Sequence, residues 1–219
     1  MYRELGRLAR LGTLDTSGLT LVQLDEYAGL ADGDERSLRG WLERDVARPL
    51  GVPPARLIAL ASPDPRDEGA VAVACRDWDR AVAAAGGLDV AILGLGPNGH
   101  LGFNEPPSAS SAPTRLVELT EASQASNARY FPAGVPVPTH AITAGMGVLL
   151  SARRKLLVVT GVAKRPILRR LLEEPISDDL PASHLGAVSG VTLLADTAAW
   201  PDDVPVPLVG GAPAATFSR

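Results

Sequence analysis

Apolar residues along the chain follow two different spacings, and the two spacings alternate from one end to the other. An apolar residue at every third or fourth position predicts helices, and short continuous apolar runs predict buried strands. The predicted helices cover residues 1–12, 34–48, 65–85, 122–130, 140–152 and 163–174, and the predicted strands cover 19–24, 56–61, 89–94, 155–160 and 187–195. This alternation predicts an α/β fold with a mostly parallel sheet and helices on both faces.

Length and composition favour a single folded domain. The chain has 219 residues, of which 46% are hydrophobic, and this composition excludes an intrinsically disordered protein. We predict one domain over residues 1–200 and a loose Pro/Gly/Ala-rich tail over 201–219. A long irregular stretch, residues 95–119, exceeds the usual loop length and carries several polar side chains near its start, so we interpret it as functional.

Charge, hydropathy and cysteine content exclude several classes of protein. The net charge of −4 and the isoelectric point near 5.4 argue against nucleic acid or an anionic membrane as the main partner. No apolar run approaches the ~20 residues that a membrane-spanning helix needs. The charged start of the chain does not resemble a signal peptide, so we expect a cytoplasmic protein. Because Cys75 is the single cysteine, we expect no internal disulfide, no thiolate cluster and no bound metal.

Polar side chains follow three of the predicted strands, at the point where each strand ends. They are the acidic pair Asp25 and Glu26, the stretch 98–105, and Lys164. Ligands of open parallel sheets bind outside the carboxyl ends of the strands. We therefore expect these three segments to meet in one crevice.

The segment GLGPNG, residues 94–99, matches the glycine pattern of dinucleotide-binding loops. That motif requires a helix to begin at its last glycine, where the helix N-terminus receives the pyrophosphate. Here Gly102 and Pro106 follow closely and discourage a helix, so we expect no nucleotide cofactor. Gly94 and Gly96 are instead interpreted as positions where a ligand approaches the backbone.

His100 and Glu105 form a candidate acid–base pair. A carboxylate can fix the tautomer of an imidazole and raise its basicity, and Asn98 offers an amide beside them. The same spacing is also compatible with a structural histidine. Asp25 and Glu26 are likewise compatible with a solvated turn or a helix cap, or with a general base whose pKa is raised by burial.

The basic residues are mostly arginine, and this makes the lysines informative. Of the 21 basic residues only Lys155 and Lys164 are lysines. Lys164 begins a predicted helix after Thr160-Gly161, where a compact ammonium group suits a phosphate. The alternative is an ordinary surface charge on an amphipathic helix.

Five segments in order resemble the glucosamine-6-phosphate deaminase (isomerase) family. They are LDEYAGL at 24–30, GLGPNGHLGFNEP at 94–106, SNARYF at 126–131, AITAGMG at 141–147, and Lys164. The resemblance extends from about Tyr2 to Thr197 and implies a Rossmann-like α/β fold. It also implies an enzyme of amino-sugar metabolism that converts glucosamine 6-phosphate and water to fructose 6-phosphate and ammonia without a cofactor.

The resemblance implies a role for each matching residue. Asp25 corresponds to the base that moves a proton between C2 and C1, His100 to the group that assists ring opening, and Glu105 to its orienting partner. Asn98 stands where many members have aspartate. Arg129 and Lys164 correspond to the phosphate-binding pair, and Glu26, Gly94 and Gly96 are assigned to substrate binding.

Two alternatives stay open, and so does the oligomeric state. Related 6-phosphogluconolactonases share the sheet and the Gly-His element, so a lactone hydrolase is one alternative. A non-catalytic module that binds sugar phosphates is the other.

Family members begin with a strand and a glycine-rich phosphate loop, whereas Tyr2 resembles the helix after that loop. We therefore expect unpaired strand edges in the sheet.

Overall fold

Parallel strands at the centre of the protein hold the start of the glycine-rich segment 94–99 in place. The computed structural model describes residues 1–31, 33–132, 134–205, 208–209, 212–213 and 215–216, the last three pairs by their backbone alone. Strands β4 (Val90–Gly94), β7 (Arg154–Val159) and β8 (Val191–Ala195) pair in parallel. Their aliphatic residues are typical of a sheet that is covered on its faces.

A second parallel pair lies next to this sheet. It consists of β1 (Leu21–Val22) and β3 (Leu57–Ile58). Within the described residues, β1 pairs only with β3 and β4 pairs only with β7, so each has one edge without a strand partner. The two sheets share one hydrophobic core, which includes Trp78, and its indole Nε1 donates a hydrogen bond of 3.0 Å to the carbonyl of Gln23.

A third sheet, which is antiparallel, was not predicted. Strand β2 (Asp25–Tyr27) and strand β5 (Arg115–Glu118) pair with opposite edges of β6 (His140–Thr143). Asp25 and Glu26 therefore lie in a strand and not in the solvated turn with which they were also compatible, and the irregular stretch 95–119 contains a strand near its end. Three-residue strands carry too few positions for their periodicity to be seen.

The predicted helix at 140–152 was wrong over its first half. Residues 140–143 form β6, and the helix α5 begins only at Met146 and ends at Ser151. The apolar residues of β6 and those of α5 follow one another closely, and together they imitate the spacing of a single helix. β-branched side chains at Ile142 and Thr143 favour the strand, and both are fully buried.

Helices contribute the other half of the main core. The longest is α3, Glu68–Ala84, whose N-cap Asp67 accepts a hydrogen bond from Ala70 N at 2.9 Å. The side chains of Leu149 on α5 and Leu168 on α6 (Arg165–Glu173) are completely buried. The predicted single-domain α/β fold is confirmed.

The remaining predicted elements exist with different bounds. The first helix is α1, Tyr2–Arg10, and the fourth is α4, Glu121–Asn127. The helix predicted at 34–48 is shorter, with α2 at Leu38–Leu42 and a π-helical stretch at Glu43–Ala47. Four 3₁₀ turns lie at strand and helix ends, namely Pro54–Arg56, Ala128–Tyr130, Val162–Lys164 and Pro181–Ala187.

The segment predicted as a loose tail contains paired backbone. Strand β11 (Ala215–Thr216) pairs antiparallel with β8, and β9 (Leu208–Val209) pairs with β10 (Ala212–Pro213). This pairing differs from the prediction, because strand pairing was not visible in a segment so rich in Pro and Gly. The rest of 206–219 lies outside the described residues.

Candidate active site

A tight turn at the end of β4 places His100 beside the sheet. The amide of Gly96 donates to the carbonyl of His100 at 3.0 Å, and the amide of Gly99 donates to the carbonyl of Gly96 at 3.0 Å. Gly99 has a φ of 89°, which only glycine adopts readily. The amide of Ala182 holds this turn from outside through a 2.9 Å bond to the carbonyl of Gly99.

His100 and Glu105 face each other across this turn, as the sequence predicted. Nδ1 of His100 lies 3.5 Å from Oε2 of Glu105, an ion-pair distance slightly too long for a good hydrogen bond. Burial of Glu105 raises the pKa of its carboxyl. The nearby polar groups of His100, Ser123 and Asn98 outweigh this effect, so the pKa of Glu105 lies below its usual value. Glu105 is therefore an anion that can orient the imidazole.

The side-chain amide of Asn98 contacts both Glu105 and His100. Its Nδ2 donates to Oε2 of Glu105, and its Oδ1 accepts from the backbone amide of His100 at 3.3 Å. An ionised aspartate at this position would set one carboxylate against another. The asparagine therefore suits an anionic Glu105 but cannot itself carry a proton.

Asp25 reaches the same place from a different sheet. It begins β2, and its Oδ2 lies 3.4 Å from the position that a Cβ on Gly102 would occupy, so Gly102 packs against the Asp25 carboxylate. Burial, followed by the negative charge of Glu26, raises the pKa of Asp25 to about 6, although the charge of His100 opposes this shift. A carboxylate tuned to this range suits a general base.

Glu26, by contrast, does not face the cavity. It is 1% exposed, and its oxygens accept from the side chains of Gln23 and Ser37 and from the amides of Tyr27, Leu38 and Arg39. These contacts fix the start of α2. The assignment of Glu26 to substrate binding is therefore corrected, because the alternation of a strand turns it away from Asp25.

Replacing Glu26 by alanine lowers the free energy of unfolding by about 3 kcal/mol, because several buried donors lose their acceptor. We expect the melting temperature to fall by roughly 10 °C, measured by thermal denaturation. The control is Glu173→Ala, at an exposed position of α6 where a surface ion pair contributes little. Unchanged stability of Glu26→Ala, with weaker substrate binding, would restore the original assignment.

Two basic side chains also line this part of the molecule, next to the end of β4. Lys164 donates from Nζ to the carbonyl of Leu95 at 2.7 Å, and burial, followed by the charge of Arg129, lowers the pKa of the lysine. Arg129 is exposed and stacks over the ring of Tyr130 at 4.8 Å. Among the residues that the structure describes, neither cation forms a salt bridge with a carboxylate. Because the two positive charges lie near each other, the arrangement suits a dianion.

The other lysine has a structural role. Lys155 is 3% exposed, and its Nζ donates to the carbonyls of Leu150 and Ala152 at the end of α5. It therefore satisfies carbonyls that the helix leaves unpaired.

The two glycines predicted to meet a ligand behave differently. A Cβ on Gly94 would meet nothing within 4 Å, which leaves open space beside the end of β4. A Cβ on Gly96 would lie 2.2 Å from Cδ2 of His100. The absence of a side chain at Gly96 thus makes room for the imidazole of His100, a function that the sequence did not predict.

A cavity of about 340 Å³ brings most of the predicted residues together. Asp25, His100, Arg129 and Lys164 all line it, together with Gly94 and Gly96. Glu105 and Asn98 lie behind His100. Among the described residues, no group of three or more His, Cys, Asp or Glu side chains could hold a metal ion.

Two further residues of the cavity, Gly102 and Ser123, were missed by the sequence analysis. Gly102 has a φ of 61° and adjoins Asp25, and Ser123 on α4 is buried. A signal for Ser123 exists in the spacing Thr120-x-x-Ser123. Thr120 caps α4, and the third position after such a cap commonly holds Glu or Gln.

Comparisons with known proteins point to one family. A family model described as "Glucosamine-6-phosphate isomerases/6-phosphogluconolactonase" matches residues 1–194. The chain is 40% identical to a glucosamine-6-phosphate deaminase of Streptomyces avermitilis over 200 residues, which cover 91% of this chain and 75% of the relative. It is 38% identical to glucosamine-6-phosphate deaminase 1 of Bacillus subtilis, over 89% of this chain and 79% of that protein.

Solved structures give the same result for the fold. A monomeric glucosamine-6-phosphate deaminase superposes with a TM-score of 0.84 at 38% identity and covers 90% of this chain and 80% of its own. A 6-phosphogluconolactonase from Leishmania guyanensis reaches 0.65 at 21% identity, covering 93% and 83% of the two chains, and supports the fold alone. In the described residues no helix is long and apolar enough to cross a membrane. The chain belongs to the family of glucosamine-6-phosphate isomerases and 6-phosphogluconolactonases.

Proposed function

We propose that this chain is a glucosamine-6-phosphate deaminase, which forms fructose 6-phosphate and ammonia from glucosamine 6-phosphate and water. The observation that carries the proposal is the placement of three kinds of group around one cavity. A carboxylate with a pKa near 6, an imidazole with a carboxylate partner, and a pair of cations all line or adjoin it. An aldose–ketose isomerisation of a phosphorylated sugar requires these groups.

Each group has a step in this reaction. Lys164 and Arg129 hold the phosphate, and His100, oriented by Glu105, passes a proton to the ring oxygen so that the sugar ring opens. Asp25 then removes the proton from C2 and returns it to C1, which leaves an imine at C2. Water adds to this imine, and ammonia leaves as the ketone of fructose 6-phosphate forms.

The proposal is tested by incubating the purified chain with glucosamine 6-phosphate and measuring ammonia and fructose 6-phosphate separately. We expect the two products in equal amounts, and about 10³-fold slower formation of both by a His100→Ala variant. Hydrolysis of 6-phosphogluconolactone above its spontaneous rate, without ammonia release from the amino sugar, would overturn the proposal in favour of a lactonase.

Activity rises with pH through the pKa of Asp25. The base acts only as the carboxylate, and burial has raised its pKa to about 6. Below pH 6, kcat/KM for glucosamine 6-phosphate therefore falls by about tenfold per pH unit. A pH profile measures this effect, and a limb that stays flat down to pH 4.5 would show that Asp25 is not the titrating base.

Replacing Lys164 by alanine raises KM for glucosamine 6-phosphate by about 30-fold, because a charged hydrogen bond to the phosphate is lost. We expect kcat to change much less. Inorganic phosphate serves as a second readout, since it should inhibit the wild-type chain competitively and the variant only weakly. Arg153→Ala, at an exposed arginine paired with Asp89, is the control. An unchanged KM would exclude Lys164 from the phosphate site.

A further inference from the structure

Three buried polar atoms without a hydrogen-bond partner lie together at one edge of the cavity. Among the described residues, these unpartnered atoms are Nδ1 of His100, Oε1 of Glu105 and Oγ of Ser123. Buried polar atoms are almost always paired in folded proteins. Three unpaired atoms in one place therefore indicate bonds that small movements of these side chains complete.

Glu105 has one oxygen engaged and one oxygen free. Oε2 accepts from Nδ2 of Asn98 and faces Nδ1 of His100 at 3.5 Å. Oε1 is the unpartnered atom. A carboxylate held by one oxygen can still rotate about its last bond, so its alignment with His100 depends on what holds Oε1.

Ser123 approaches this carboxylate from a different element. It lies in the first turn of α4, where its backbone amide donates to Oγ1 of the capping Thr120 at 3.2 Å. Its side chain is 1% exposed and lines the cavity. The hydroxyl is close enough to Glu105 to contribute to the lowered pKa of that carboxyl.

We propose that Ser123 is a positioning residue whose hydroxyl donates a hydrogen bond to Oε1 of Glu105 and thereby turns Oε2 toward Nδ1 of His100. This inference rests on the proposed function, since it assigns Ser123 to the ring-opening step. The same helix leads directly into the turn that carries Arg129. Ser123 therefore links the phosphate-binding side of the cavity to the His100–Glu105 pair.

The kinetic test compares Ser123→Ala with Ser123→Thr. Alanine removes the hydroxyl and is a better helix former than serine, so the variant folds. We expect Ser123→Ala to lower kcat for ammonia release about tenfold with KM changed less than twofold, and Ser123→Thr to restore kcat. Ser151→Ala, at an exposed hydroxyl that bonds only to the carbonyl of Val148, is the matched control.

A double variant separates positioning from general packing. In a Glu105→Gln background the acceptor is altered, and Ser123→Ala should then cause no further loss of kcat. A full additional tenfold loss would overturn the proposal. So would an increase in KM with unchanged kcat, because that result would place Ser123 on the substrate rather than on Glu105.

A measurement without substrate tests the contact between Ser123 and Glu105 independently of the enzyme assay. Carbon-13 NMR titration of the Glu105 carboxyl, assigned with Glu105→Gln, reports its pKa directly. The side chains that lower this pKa are His100 and Asn98 from its own loop and Ser123 from α4. We expect Ser123→Ala to raise the pKa of Glu105 and Ser123→Thr to leave it unchanged. An unchanged pKa in Ser123→Ala overturns the positioning role, even if the chain proved to act on another substrate.

Discussion

Replacing Asp25 by asparagine lowers kcat for ammonia release by about 10³-fold, within the range that removal of a general base produces. The amide keeps the size of the carboxylate but cannot accept the proton from C2. KM should change less than threefold, because the proposed function assigns the phosphate to Lys164 and not to Asp25. Steady-state kinetics with glucosamine 6-phosphate measure both constants.

The control for this prediction is Asp45→Asn. Asp45 lies in the π-helical stretch and pairs with Arg44 at the surface, so its replacement should leave kcat unchanged. A loss of less than tenfold in Asp25→Asn would contradict the role of Asp25. It would direct attention to His100 as the base for both proton transfers.

Replacing Gly96 by alanine lowers kcat by about 10²-fold or more, because the new methyl group occupies the place of the His100 imidazole. The added Cβ would lie 2.2 Å from Cδ2 and 2.3 Å from Nε2 of His100. The ring must move away, and a small misplacement of a catalytic group has a large effect on rate. The free energy of unfolding should fall by only about 1–3 kcal/mol, as for other overpacked sites.

Gly147→Ala provides the matched control for this substitution. A Cβ there would meet the carbonyl of Ser110 at 3.8 Å, an ordinary contact, within α5. The double variant Gly96→Ala/His100→Ala should be no slower than His100→Ala alone. Wild-type kcat in Gly96→Ala would mean that the imidazole is dispensable where it lies.

The site could be predicted further from the sequence than the sheet that supports part of it. Asp25, His100 and Lys164 follow strands whose carboxyl ends meet at one edge, and this rule is independent of exact strand bounds. The β2–β6–β5 sheet was missed because its strands have three or four residues each. At that length alternation and helical spacing cannot be distinguished.

The sequence did not show which of two residues of the same type belongs to the site. Asp25 and Glu26 were assigned together to the site, yet adjacent residues on a strand point in opposite directions, and Glu26 caps α2 instead. The scarcity of lysine drew attention to Lys164. The same argument applies to Lys155, which instead donates a hydrogen bond to a carbonyl at the end of α5. Composition selects candidates, whereas only tertiary packing decides between them.

Close approaches could not be predicted from the sequence at all. Gly96 beside the imidazole and Gly102 beside Asp25 are defined by side chains that come from elsewhere in the fold. Ser123 faces Glu105 from a helix that begins more than ten residues later. None of these contacts leaves a periodic pattern in the chain.

The pairing of β2 with β6 also determines when the site can form. Asp25 lies opposite Thr143 in register, although the two residues are more than one hundred positions apart in the chain. Contacts of such long sequence separation form late in folding, because a large loop must close first. During synthesis on the ribosome, Asp25 therefore emerges early but reaches its place in the cavity only after β6 has been made. We expect nascent chains that end before Thr143 to be inactive.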